Sequence, residues 1–203
     1  MKFSRTYTQA ARAESVADTR GRITRAAADL FIEHWYEDVT LAAIAQAAGV
    51  SHQTVLNHFE SKEGVALAAA ALVGAETRSR RDQVAPGEVD AALHLLVSEY
   101  ERFGDSNARW AFFSERLGSL AAVLDDARAG HQAWLARTFG SRLPADTSGR
   151  RRALNALHAA TDVYVWRLLR RDLGLSRAET ERTMGALVRG VLAPPTGPTN
   201  GGA

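Results

Sequence analysis

Apolar residues recur at helical spacing along most of the chain, and no stretch alternates apolar with polar convincingly enough for a half-buried strand. Ile23, Ala27, Leu30 and Phe31 form one stripe and predict a first helix over 19–34. The polar break Trp35-Tyr36-Glu37-Asp38 follows. Thr40 comes next, and its hydroxyl can accept an orphan backbone N–H to start a second helix over 41–48. Gly49 suits the end of that helix, because a left-handed backbone carries no steric cost for glycine. Ser51 predicts the cap of a third helix running to about Phe59. Ser61 predicts the cap of a fourth over 62–82, with Glu63 in its first turn to suit the helix dipole. Pro86-Gly87 marks a break. Beyond it the pattern predicts helices over 88–103, 106–117, 119–139 (with an interruption allowed at Gly130), 148–172 and 176–192.

Two short helices meeting at a tight glycine turn require particular residue types, and LAAIAQAAGVSHQTVLNHF, residues 41–59, supplies them. Ala45 is small where the second helix crosses close above the first, and Gly49 makes the turn. Ile44, Ala48, Val50 and Val55 fall on the positions that face a shared core. This is the spacing of a helix-turn-helix, whose second helix enters the major groove. The expected organisation is all-α, a three-helix helix-turn-helix head joined to a larger helical ligand-binding and dimerisation body. Its parts are a flexible basic arm over 1–18, a DNA-binding domain over 19–65, a helical body over 66–193 and a disordered Pro/Gly/Thr tail over 194–203.

Composition narrows the function. The chain has 203 residues, 46% of them hydrophobic, and no cysteine. Thiolate catalysis and cysteine-based zinc sites are therefore excluded, and a reducing, cytoplasmic location is expected. No stretch approaches a membrane span, and the N-terminal stretch lacks the apolar core of a signal peptide. Net charge is only +2, but within residues 1–30 six cations (Lys2, Arg5, Arg12, Arg20, Arg22 and Arg25) face three anions (Glu14, Asp18 and Asp29). A basic N-terminal end can meet phosphate or simply solubilise. There is no phosphate loop, dinucleotide fingerprint or metal-ligand cluster at persuasive spacing, so neither catalytic residues nor cofactor nor metal are expected.

The stretch from Arg22 to Leu67 resembles the DNA-binding head of TetR-family regulators. The resemblance rests on Phe31, Tyr36, Thr40-Leu41, Ile44-Ala45, Ala48-Gly49-Val50-Ser51, Thr54-Val55, His58-Phe59 and Ser61-Lys62-Glu63. The chain departs from the family pattern in having Trp35 where glycine is usual. It also has Leu56 where the recognition helix commonly carries a phosphate-contacting tyrosine. Leu56 is left either to touch a thymine methyl or to pack.

His52, Gln53 and Asn57 are the candidates for base edges, since Gln and Asn can pair bidentately with adenine and His can donate to guanine or phosphate. Thr40, Ser51, Thr54, His58 and Lys62 lie at helix starts or the motif rim, where phosphate contacts set the register. Thr40 and Ser51 can serve as caps as well, and His58 reads equally as a hydrogen-bonded core residue. Arg20, Arg22 and Arg25 can reach the DNA backbone or minor groove.

One head reads few base pairs, so a homodimer on a palindromic operator of double-stranded DNA is expected. The last two long helices are its candidate interface, with Leu154, Leu157, Ala160, Thr161, Tyr164, Val165 and Leu168 on one stripe and Met184, Leu187, Val188 and Val191 on the other. The body is rich in aromatics, and Trp110, Phe113, Trp134, His158 and Asp162 are the candidate lining of a small-molecule effector pocket. His158 and Asp162 stand four apart, as a helix-surface pair would. The expected function is a transcriptional regulator, a repressor released from its operator by a small-molecule ligand. The competing reading is a helical protein-interaction or small-molecule-binding protein whose helix-turn-helix does not read DNA.

Overall fold

The computed structural model describes the backbone over residues 3–114 and 118–193, and side chains over 14–111 and 121–193. The expected disordered tail over 194–203 lies outside the described residues. Among those described there are helices and turns and no strand. The helices are α1 (Phe3–Glu33), α2 (Leu41–Ala48), α3 (His52–Phe59), α4 (Lys62–Arg81), α5 (Val89–Ser114), α6 (Gly118–Phe139), α7 (Thr147–Ala160), α8 (Val163–Arg167) and α9 (Arg177–Leu192). Gly140–Arg142 forms a 3₁₀ turn, and Leu168–Asp172 continues α8 as a turn of π-helix.

The residues divide into two compact units. One, the head, comprises Met1–Ser79 with Arg109–Asp126, and the other, the body, comprises Arg80–Ala108 with Ala127–Ala203. The divisions fall inside α4, α5 and α6, whereas the sequence pattern places a single boundary near residue 65.

In the head, Ile23, Ala27 and Phe31 of α1 pack with Ile44, Ala45 and Ala48 of α2, Val55 and Phe59 of α3, and Val65, Ala66 and Ala69 of α4. These are the apolar positions of the sequence pattern. The first helix begins well before the expected residue 19, so the segment expected to be a free arm is helical from Phe3. Residues 9–17, QAARAESVA, contain good helix formers and no proline or glycine, so nothing stops the helix from extending.

The body has its own core, in which Leu96, Val97 and Tyr100 of α5 meet Trp134, Leu135 and Phe139 of α6, Leu157 of α7, Trp166 of α8, and Met184 and Val188 of α9. Two features differ from the pattern. The expected break between 103 and 106 does not occur, and α5 runs straight through Gly104. That glycine serves close packing, because a Cβ there would lie only 2.4 Å from the fully buried Trp166 ring. Conversely, the expected helix over 148–172 breaks after Ala160. The Thr161 hydroxyl bonds back to the Leu157 carbonyl at 2.7 Å, and Asp162 caps α8 by accepting the Tyr164 N–H at 2.9 Å. Short polar side chains that bond nearby backbone compete with helix continuation.

Candidate nucleic-acid interface

The helix-turn-helix is set by local caps. The Thr40 hydroxyl accepts the Ala43 N–H at 3.1 Å and opens α2. Gly49, with φ 65°, closes it and returns its N–H to the Ala45 and Gln46 carbonyls. The Ser51 hydroxyl accepts the Thr54 N–H at 3.0 Å to open α3, and also pairs with the Thr54 hydroxyl at 2.8 Å. Val55 and Phe59 anchor α3 in the core. With that face buried, the opposite face presents polar groups. Ser51, His52, Gln53 and Asn57 are exposed, while Thr54, Leu56 and His58 are half-buried.

Gln53 donates from Nε2 to Asn57 Oδ1 at 3.0 Å, one turn along. This bond fixes both amides, leaving the Asn57 amide donors and the Gln53 carbonyl directed by the same pair. A coupled Gln–Asn pair is a donor–acceptor array of the kind that reads a base edge in the major groove. The N-termini of α2 and α3, each opened by a hydroxyl residue, supply backbone N–H groups and a positive dipole end suited to phosphate.

The remaining predicted contacts are partly engaged within the head. Lys62 donates to the Glu37 carbonyl at 3.2 Å and lies 4.3 Å over the Tyr36 ring. Partial burial lowers its pKa, with Glu37 and Asp38 opposing. The His58 carbonyl accepts from the Arg20 guanidinium, which stacks 4.0 Å over Phe59. Arg22 donates to the Ala48 carbonyl at 3.1 Å, closing the end of α2, and pairs with Asp18 at 3.5 Å. Arg25 forms a two-pronged pair with Glu76 of α4. These arginines therefore tether α1 to the rest of the head, a role that sequence spacing did not reveal because their partners lie 26 to 51 residues away.

The expected effector residues fall in both units. Trp110 belongs to the head, where it meets Phe31 edge-on at 5.5 Å and Tyr36 at 5.9 Å. The Phe113 side chain lies outside the described residues. Trp134, His158 and Asp162 belong to the body. There His158 Nε2 stands 3.7 Å from Asp162 Oδ2, although the helix break puts the two residues on successive elements. His131 sits between His158 and Trp134. Its ring is 5.0 Å from that of His158 and 5.7 Å from that of Trp134. Burial, then Arg81 and His158, push its pKa down to about 3, so it is neutral. Among the described residues no group of three or more His, Asp or Glu side chains could hold a metal ion, and no helix is long and apolar enough to cross a membrane.

The stripes expected to form a dimer interface split in two. Leu157, Ala160, Thr161, Met184 and Val188 are buried in the body's own core. Tyr164, Leu168 and Leu187 remain 53%, 47% and 46% exposed.

Residues 23–69 match the family model described as bacterial regulatory proteins, tetR family. The chain is similar to the HTH-type transcriptional regulatory protein RaaS of Mycobacterium tuberculosis, 47% identical over 103 residues, which is 51% of this chain and 48% of that one. The match thus spans about half the length of that relative. Among solved structures, a tetR-family transcriptional regulator from Streptomyces coelicolor matches with a TM-score of 0.66 at 21% identity, over 90% of this chain and 92% of the other. Salmonella enterica GusR matches with a TM-score of 0.67 at 21% identity, over 86% and 95%. These two likenesses are of fold.

Proposed function

We propose that this chain, which belongs through residues 23–69 to the TetR family of bacterial regulatory proteins, is a DNA-binding transcriptional regulator and not an enzyme, a dimeric repressor released from a palindromic operator by a small molecule. The observation that carries the DNA-reading part is α3 itself, a short helix anchored through Val55 and Phe59 whose solvent face carries His52 and the coupled Gln53–Asn57 amides. Gln53 and Asn57 read bases, His52 reads a base or phosphate, and Thr40, Ser51, Thr54, His58 and Lys62 set the register on phosphates. Tyr164, Leu168 and Leu187 support dimerisation through α8 and α9, since large apolar side chains left exposed favour an apolar partner. Effector release is a two-state coupling, for which about 1–3 kcal/mol suffices to change operator occupancy.

The test is fluorescence anisotropy with labelled DNA from upstream of the protein's own gene, supplemented by selection from a random duplex pool, at several salt concentrations. The expected result is sequence-selective binding that weakens with salt and loses selectivity in a Gln53→Ala/Asn57→Ala variant. Equal, weak affinity for every duplex, selected ones included, overturns the proposal and favours a helix-turn-helix used for protein contacts.

A further inference from the structure

We infer that the body carries a binding site for an uncharged, flat, hydrogen-bonding molecule at Trp134, Thr138 and His158. This deepens the proposed effector response and rests on it. The face of α6 that turns inward carries His131, Trp134, Leu135 and Thr138, spaced at three and four residues. Trp134 is 5% and Thr138 1% exposed, yet Trp134 Nε1 and Thr138 Oγ1 have no hydrogen-bond partner. The buried Nδ1 of His158 on α7 has none either. Buried polar atoms in folded proteins are nearly always paired, so three unpaired ones, two a turn apart on α6 and the third on a ring that shares His131 as a neighbour with Trp134, point to a partner from outside the chain.

The neighbours define what that partner is. Trp134 lies beside the rings of His131 at 5.7 Å and Phe139 at 6.3 Å, with the Arg81 guanidinium 4.8 Å over it. Flat walls favour a flat molecule. Arg81 gives Nε to Glu99 at 2.9 Å and Nη1 to His131 Nδ1 at 3.0 Å. His131 Nε2 faces the Thr161 hydroxyl at 2.9 Å, and that hydroxyl's proton goes to the Leu157 carbonyl. The imidazole therefore holds its proton on Nε2 and accepts at Nδ1. An anion would have to displace Glu99 from Arg81, and a cation would face Arg81 directly. An uncharged ligand meets neither obstacle. Since Trp134 Nε1–H can only donate, the ligand must carry an acceptor such as a carbonyl, while Thr138 and His158 take either role.

The test uses coumarin, which is flat, neutral and bears a carbonyl. Coumarin-3-carboxylate adds a charge to the same frame, and naphthalene offers no acceptor. The full-length ¹⁵N-labelled chain is titrated with each, reading the Trp134 indole N–H resonance assigned by its disappearance in Trp134→Phe. Coumarin is expected to shift that resonance. Coumarin-3-carboxylate and naphthalene are expected to bind at least about tenfold more weakly, and Thr138→Val to weaken coumarin about five- to tenfold through the lost hydrogen bond. Thr138→Val is nearly isosteric, so it keeps the test open if Trp134→Phe fails to fold. An indole resonance unmoved by coumarin up to its solubility overturns the inference. So does an equal response to all three probes, or unchanged affinity in Thr138→Val. DNA affinity measured on the same samples separates the two questions, since loss of this site leaves operator binding intact.

Discussion

Replacing Gly64 by alanine sets two effects of opposite sign against each other. Gly64 lies in the first turn of α4, where its N–H bonds the Ser61 hydroxyl at 3.1 Å. On helix propensity alone, alanine should stabilise by about 1 kcal/mol. A Cβ at this position, however, would fall 2.4 Å from the Phe59 carbonyl oxygen, with the carbonyl carbon at 3.5 Å. The obstacle is backbone, so no side chain can swing aside. Phe59 is the last residue of α3 and is buried, and Glu60 after it already holds φ 63°. The overlap must be relieved by moving the end of the recognition helix or the start of α4. Overpacking of this kind costs about 1–3 kcal/mol, with rigid backbone favouring the upper part of that range. Net of the propensity gain, Gly64→Ala is expected to destabilise by about 1–2 kcal/mol, a fall in Tm of roughly 2–8 °C for a chain of this length. Urea denaturation followed by far-ultraviolet circular dichroism reads the effect directly. Operator affinity should fall as well, because the displaced element carries Gln53 and Asn57. A variant more stable than the parent, with unchanged DNA affinity, would refute the steric reasoning and leave propensity the stronger effect.

Glu60→Gly should stabilise the chain by about 0.5–1 kcal/mol, since glycine relieves the left-handed strain at φ 63°, and thermal melting checks it. Gly104→Ala should lower the melting temperature and change the Trp emission, because the new methyl meets the buried Trp166 ring at 2.4 Å. Gln53→Ala and Asn57→Ala should each cost about 1–3 kcal/mol on the selected operator and little on random duplex, as competition anisotropy would register. Stability should also fall as pH drops below about 6.5. His131 is neutral in the fold, with a pKa near 3, but protonates near its ordinary value when unfolded, so the unfolded state binds the extra proton. Its contribution is complete above about pH 6.5 and is lost toward pH 3, at about 1.4 kcal/mol per pH unit in between. Urea midpoints at pH 7.5, 6 and 5 should show this slope in the parent and a shallower one in His131→Gln.

The head was readable from sequence because each of its signals is local. Thr40 caps α2 and Ser51 caps α3 through a backbone N–H three residues on, and Gly49 ends α2 where it stands. The body was less readable because distant contacts decide its details. Gly104 looks like a helix stop until Trp166, 62 residues later, is known to occupy the space of its missing side chain. Thr161 reads as a member of a long apolar stripe and Asp162 as a surface partner of His158, yet both side chains turn to backbone and divide the helix. The functional residues show the same contrast. The exposed row of α3 follows from a helical wheel, whereas the unpaired atoms of Trp134, Thr138 and His158 emerge only when the neighbours of each side chain are known.

The internal engagement of Arg20, Arg22, Arg25 and Lys62 bears on how such a protein finds its target. A cation already bonded to a carbonyl or carboxylate must give up that partner to neutralise a phosphate, so it adds little to the loose, sequence-blind attraction that lets a protein slide along DNA. Each phosphate neutralised contributes about 0.9 to the slope of affinity against salt, so these four cations are expected to steepen that slope by less than their number alone would suggest.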